Sequence, residues 1–258
     1  MSVKKVSSLI IVIALFIFFW DYNFLRPFKV FVVYIHEISH AIVSLLTGGE
    51  VHSISVEWNE SGVTQTSAGN FVLTAVAGYM GSIVCGSILL YSGLSGRHER
   101  FVATFLGTTL LFFTVFYSES MNLTFFVIFL AIGGGTILIA AFFGKLNRLL
   151  LFLTGTLSSM YALFDLSDFF KGAVLKTDAG LIANHFIRDA KLQVLFAYAI
   201  SFFISVFSIW LVTRVIAYAV AHKIEEIDFN EEDELELATP TMEKNNEYLA
   251  DLNHGSEI

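Results

Sequence analysis

Two things are scarce in this 258-residue chain: cysteine, with one copy, and proline, with two. The single Cys85 excludes an internal disulfide and leaves the redox compartment unreadable; inside an apolar run it reads as a small packing residue. Charge is scarce as well, at 15% against 55% hydrophobic residues, and the mean hydropathy of +0.71 excludes an ordinary soluble domain. Long apolar runs with short polar punctuation fit a polytopic helical membrane protein built as one domain within the bilayer.

The charge that is present is unevenly spread. From residue 224 onward there are twelve Asp and Glu against one Lys, a net of −11, whereas residues 1–223 carry a net of +3. Residues 224–258 therefore read as an acidic, solvated and largely disordered tail. The N-terminus has the basic start and apolar centre of a secretory signal. Its apolar run ends in Phe18, Phe19, Trp20 and Asp21 rather than in small residues, so it reads as an uncleaved anchor over 1–27. The membrane domain is then expected over 28–223.

Windows of about twenty apolar residues give seven candidate spans, at 7–25, 28–47, 71–92, 101–117, 123–143, 149–165 and 192–220. The expected class is all-α and polytopic, with about six to seven transmembrane helices. Arg97 and Arg100, Lys145 and Arg148, and Arg214 and Lys223 put three helix ends, and with them the tail, on the cytoplasmic side. Between the second and third spans, Ile54, Val56 and Trp58 alternate with polar neighbours ahead of an Asn-Glu-Ser-Gly cluster, which predicts a short β-hairpin. The mixture of apolar and basic residues over 166–191 predicts an interfacial amphipathic segment.

Ionisable residues inside a span cost roughly 2.5–3.5 kcal/mol each when charged, so by default they mark function. The run "FVVYIHEISHAIVSLLTGG" holds three: His36, Glu37 and His40. On a helix His36 and His40 share one face at i, i+4, a spacing that lets two imidazoles grip one zinc ion while the adjacent Glu37 acts as general base on its water. Zinc lowers the pKa of that water to about 7 and polarises the carbonyl under attack.

With "HEISHA", "LLTGGEVHSISVEWNESGVTQT" and "AVAGYMGSIVCGS" in this order, the chain resembles the site-2 protease family of intramembrane zinc metallopeptidases, in its smaller, uncharacterised-peptidase branch. The resemblance runs from about residue 28 to about 184. It implies one Zn2+ per chain, His36 and His40 as ligands, Glu37 as base, and cleavage of peptide bonds at membrane depth. The implied partners are the lipid bilayer and a membrane protein substrate with a transmembrane segment; no nucleic acid is expected.

A catalytic zinc needs a third protein ligand. His52, His98, His185, His222 and His254 all lie outside the apolar runs, which leaves carboxylates. The family takes an aspartate from a later helix in a Leu-Asp-Gly setting. Here Phe164-Asp165-Leu166 ends the sixth span, which makes Asp165 the first choice and Asp168 the second. Asp178 in "KTDAGLIA" is a further candidate that also reads as a helix cap.

Gly78, Ser82 and Gly86 recur every four residues, a smooth face for close packing against the motif helix. Gly133, Gly134 and Gly135 read as a bend or a close contact. The hairpin edge at Ile54 and Val56 is placed to pair with an unwound substrate segment. Two other classes fit part of the pattern: a membrane metal-binding transporter and a catalytically inactive scaffold. Membrane histidines confined to one helix, with Glu37 in the base position, favour hydrolysis over both.

Overall fold

The computed structural model describes residues 11, 14–16, 18–20, 22–170, 174–219 and 221, with the side chains of 162–170 and 176 outside the description. The acidic tail at 224–258 and most of the first candidate span therefore lie outside the described residues. A helical turn at Asn23–Leu25 leads into α1 (Arg26–Leu46), the hairpin strands β1 (Gly49–Val56) and β2 (Gly62–Ala68), then α2 (Phe71–Ser95), α3 (Glu99–Tyr117), α4 (Leu123–Phe142), α5 (Gly144–Phe170), a turn at Val174–Lys176, and α6 (Asp178–Phe186). A seventh helix, α7, occupies Ala190–Ala219. Among the described residues five helices are long and apolar enough to cross a membrane: α1 with its preceding turn, α2, α3, α4 and α7. The window expected at 149–165 falls within the longer α5.

Local chemistry sets the boundaries. Pro27 sits in the first turn of α1, where its missing N–H costs nothing. That helix stops at Thr47, followed by Gly48 at φ +82°, and the chain turns into β1. Asn70 caps α2 by accepting from Leu73 N, Asn122 caps α4 by accepting from Thr124 N, and Gly96 ends α2 in the left-handed region.

Helix α1 is the most enclosed of the spans. Its Tyr34 is fully buried, stacks on Phe129 of α4 with ring centres 4.0 Å apart, and shares a 2.8 Å hydrogen bond with Thr114 of α3. The hairpin folds back along α1 instead of standing off as a loop. Glycines 49 and 69 meet Ser44 and Thr47 at the helix end, Thr64 and Gly62 meet Glu37 midway, and Glu60 at the tip meets Lys29 near the start. The lengths agree: eight strand residues at about 3.3 Å match the seventeen-residue rise from Lys29 to Leu46 at about 1.5 Å.

The small residues of α2 divide between two neighbours. A Cβ on Gly78 or Gly81 would strike His36, His40 or Ser39 of α1, whereas one on Gly86 or Gly93 would strike the α5 backbone at Ser159 or Phe152. Gly155 of α5 returns the fit against Leu90, and Ser158 Oγ donates to the Ser82 carbonyl at 3.1 Å. Gly78 thus packs on the motif helix as expected, whereas Ser82 and Gly86 meet α5, because the twist of the helix carries the stripe from α1 to α5. In the glycine triplet Gly133 makes the close contact, with Gly107 of α3, while Gly134 and Gly135 face open space.

Candidate active site

The helical spacing of α1 brings the rings of His36 and His40 to 4.8 Å between centroids. Tyr79 and Tyr161 pack edge-on against His36 at 5.1 and 5.5 Å, which restricts its rotation. The Nδ1 of His40 lies 2.6 Å from the Thr74 carbonyl. A carbonyl only accepts, so Nδ1 carries a proton, and Nε2 is the nitrogen turned toward the third group.

The third group arrives from α6. Its first residue, Asp178, sets Oδ2 2.8 Å from His36 Nε2 and 3.2 Å from His40 Nε2. Three features place it there. Thr177 caps the helix by accepting from Gly180 N at 3.3 Å. Gly180 leaves no room for a Cβ against Val174 and Leu175, so the turn at Val174–Lys176 closes tightly. Ala179 and Ala183 are fully buried beside Ala197 of α7, while His185 packs on Phe71 at the start of α2. Burial alone would raise the Asp178 carboxyl, but the His36 and His40 rings outweigh it and hold the group below the usual carboxylate range.

His36, His40 and Asp178 have ligand atoms within 4.8 Å of one another and could hold a metal ion. The surroundings fit such an ion. Gly78 faces both Nε2 atoms, and a methyl group there would overlap His36 and His40. Two nitrogens and one carboxylate oxygen form a donor set suited to a catalytic zinc with an open fourth position.

Glu37 is buried one residue along from His36. Thr64 of β2 donates to its Oε2 at 2.6 Å and to its backbone carbonyl at 3.0 Å, and Gly62 leaves space beside its Oε1. The hairpin thus braces the carboxylate. Asp165 and Asp168, the carboxylates expected from the sequence, fall in the part of α5 whose side chains lie outside the described residues. Ile54 and Val56 are buried in the core around α1, so their side chains face the bundle. The strand bordering Glu37 is β2.

Sequence reasoning gave Asp178 only third place because its surroundings, 166–191, are polar and carry no span signal. The small residues Ala179, Gly180 and Ala183 were the available clue, since they allow a short helix to approach closely. Thr64 offered no clue beyond its place in a strand.

The chain matches the Peptidase M50B-like family over residues 9–213. It belongs to that family. No curated protein and no solved structure matched. Membership agrees with the site-2 protease resemblance and, together with the apolar helices, makes this M50B-like chain a multi-pass integral membrane protein of a peptidase family.

Proposed function

We propose that this M50B-like protein is an intramembrane zinc metalloprotease that hydrolyses peptide bonds of membrane-spanning or membrane-anchored proteins. The observation that carries the reading is the convergence of His36 Nε2, His40 Nε2 and Asp178 Oδ2 beside a braced Glu37. His36, His40 and Asp178 would hold the ion. Zinc supplies Lewis acidity there, activating water and polarising the scissile carbonyl. Glu37 takes the proton of the attacking water on Oε1, its Oε2 being engaged by Thr64, and passes it to the leaving amine. The Thr74 carbonyl accepts from His40 Nδ1 and orients the ring so that Nε2 would be the nitrogen offered to the ion.

A helical substrate hides its carbonyls in internal hydrogen bonds until it unwinds. The outer edge of β2 offers replacement backbone partners next to Glu37, so an unwound segment would be captured there by strand addition. The buried Ile54 and Val56 anchor the other strand.

Metal analysis of purified protein tests the reading together with hydrolysis of a membrane-anchored reporter. His36→Ala and Asp178→Asn should lose zinc and activity, whereas Glu37→Gln should keep zinc and lose activity. Zinc retained in Asp178→Asn but lost in Asp165→Asn would move the third ligand to α5.

A further inference from the structure

Helices α2 and α7 run the same way where they meet. Ile83 packs with Ile204 and Phe207, and farther along Tyr91 and Tyr218 face each other at 5.8 Å. Between them, toward their C-terminal ends, lies a groove of about 1070 Å3. Its walls are apolar, with Val84 and Ile88 from α2 and Phe207 and Leu211 from α7. Arg97, His98 and Arg214 also line it, and no carboxylate does.

The two guanidinium groups have no carboxylate partner among the described residues. Arg214 sits over the Trp210 ring at 5.9 Å. Arg97 is held by its backbone: Ser92 Oγ donates to its carbonyl at 2.7 Å and its N–H donates to Ser95 Oγ at 3.1 Å. Both side chains are exposed.

We propose that this groove binds one anionic phospholipid, its acyl chains along α2 and α7 and its phosphate drawn by Arg97 and Arg214. An apolar trough lined by cations that lack a carboxylate partner among the described residues is complementary to an amphiphile with a negative head, and the charge distribution places the C-terminal ends of α2 and α7 on the cytoplasmic side. Tyr91 and Tyr218 sit where interfacial aromatics meet headgroups. The competing occupant is the acidic tail, which begins at residue 224, three positions beyond Ala221 of the groove. With twelve acids between there and the C-terminus, it complements the arginines but not the apolar walls.

Native mass spectrometry of the purified full chain, titrated with phosphatidylglycerol or phosphatidylcholine, tests the proposal. Each cation near an anionic headgroup is worth roughly fivefold in binding, so one phosphatidylglycerol per chain should be retained at least about tenfold better than phosphatidylcholine. The Arg97→Gln/Arg214→Gln double variant should bring the two lipids to within about twofold. Arg100→Gln, a cation outside the groove, should leave the preference unchanged. Val84→Trp fills the trough, keeps both arginines and should weaken both lipids. Equal retention of the two lipids by the wild-type chain overturns the proposal without any variant. So does a preference that survives in the double variant, or that is lost equally in Arg100→Gln. A preference that emerges only after the tail acids are changed to glutamine would give the groove to the tail instead.

Discussion

Thr64 and Glu37 are joined by a 2.6 Å hydrogen bond, the hydroxyl of a hairpin strand donating to the carboxylate of the helix it lies along. The same hydroxyl reaches the Glu37 carbonyl at 3.0 Å, so one side chain fixes both the backbone and the tip of the proposed base. A hydrogen bond to a charged group contributes about 1.5–3 kcal/mol. Thr64→Val should therefore lower kcat about 10- to 100-fold, with KM and zinc content little changed, and Thr64→Ser should restore most of the loss. A change confined to KM would show that Thr64 serves the substrate and not the base.

Gly78 faces the two ligand nitrogens. Gly78→Ala should cut zinc occupancy sharply, because the added methyl overlaps His36 and His40, while the bundle still folds. Gly134→Ala, where nothing lies within 4 Å, should leave occupancy and melting temperature alone. Metal analysis and thermal denaturation of the two variants side by side make the comparison.

Removal of the metal should uncover the cost of holding two imidazoles and a carboxylate together. Treatment with a chelator should abolish reporter hydrolysis and lower the melting temperature, and added Zn2+ should reverse both. In the Asp178→Asn protein the chelator should shift the melting temperature far less, since the site would already be empty. A chelator-insensitive hydrolysis would refute a zinc mechanism.

The contact between α2 and α5 is set by glycine against backbone. Gly86→Leu or Gly155→Leu must push the helices apart, and overpacking of this kind costs about 1–3 kcal/mol. Both should lower the melting temperature, with Gly86→Leu also disturbing the neighbouring Ser158–Ser82 contact. Unfolding in mild detergent with increasing denaturant measures it.

Lys29 is buried and paired with Glu60 at the hairpin tip at 2.7 Å, with Arg26 at 3.8 Å. Removing one partner of a fully buried pair costs 3–5 kcal/mol, and less where, as here, Glu60 is partly exposed. Glu60→Gln should cost about 1–2 kcal/mol and loosen the tip, and hydrogen exchange at the Glu57–Ser61 turn should rise. Lys29→Met, which removes the buried charge, should be better tolerated.

Much of this fold was legible because lipid imposes length and apolarity on each helix and leaves polar residues conspicuous. Phe71 as the start of α2 and the alternation of Ile54 and Val56 were open to that reading. Placement relative to neighbours was not. Nothing in a strand pattern says that the hairpin returns along its own helix, because that depends on Glu60 finding Lys29 across thirty-one residues. Asp178 was obscured for a related reason: it reaches the imidazoles from a nine-residue helix whose position depends on Gly180 and two alanines. The stripe on α2 serves two helices because a four-residue repeat drifts around a helix of 3.6 residues per turn, so Gly78 and Gly86 end up facing different neighbours.

That drift makes α2 a spine with two crowded sides and a third that opens on the groove beside α7. Bulk cannot be added toward α1 without disturbing the histidines, or toward α5 without prying the bundle apart. The third side, where Ile88 is half exposed, borders the groove shared with α7. A spin label attached there would sense whatever fills that groove, at a distance from both the histidines and the α5 contact.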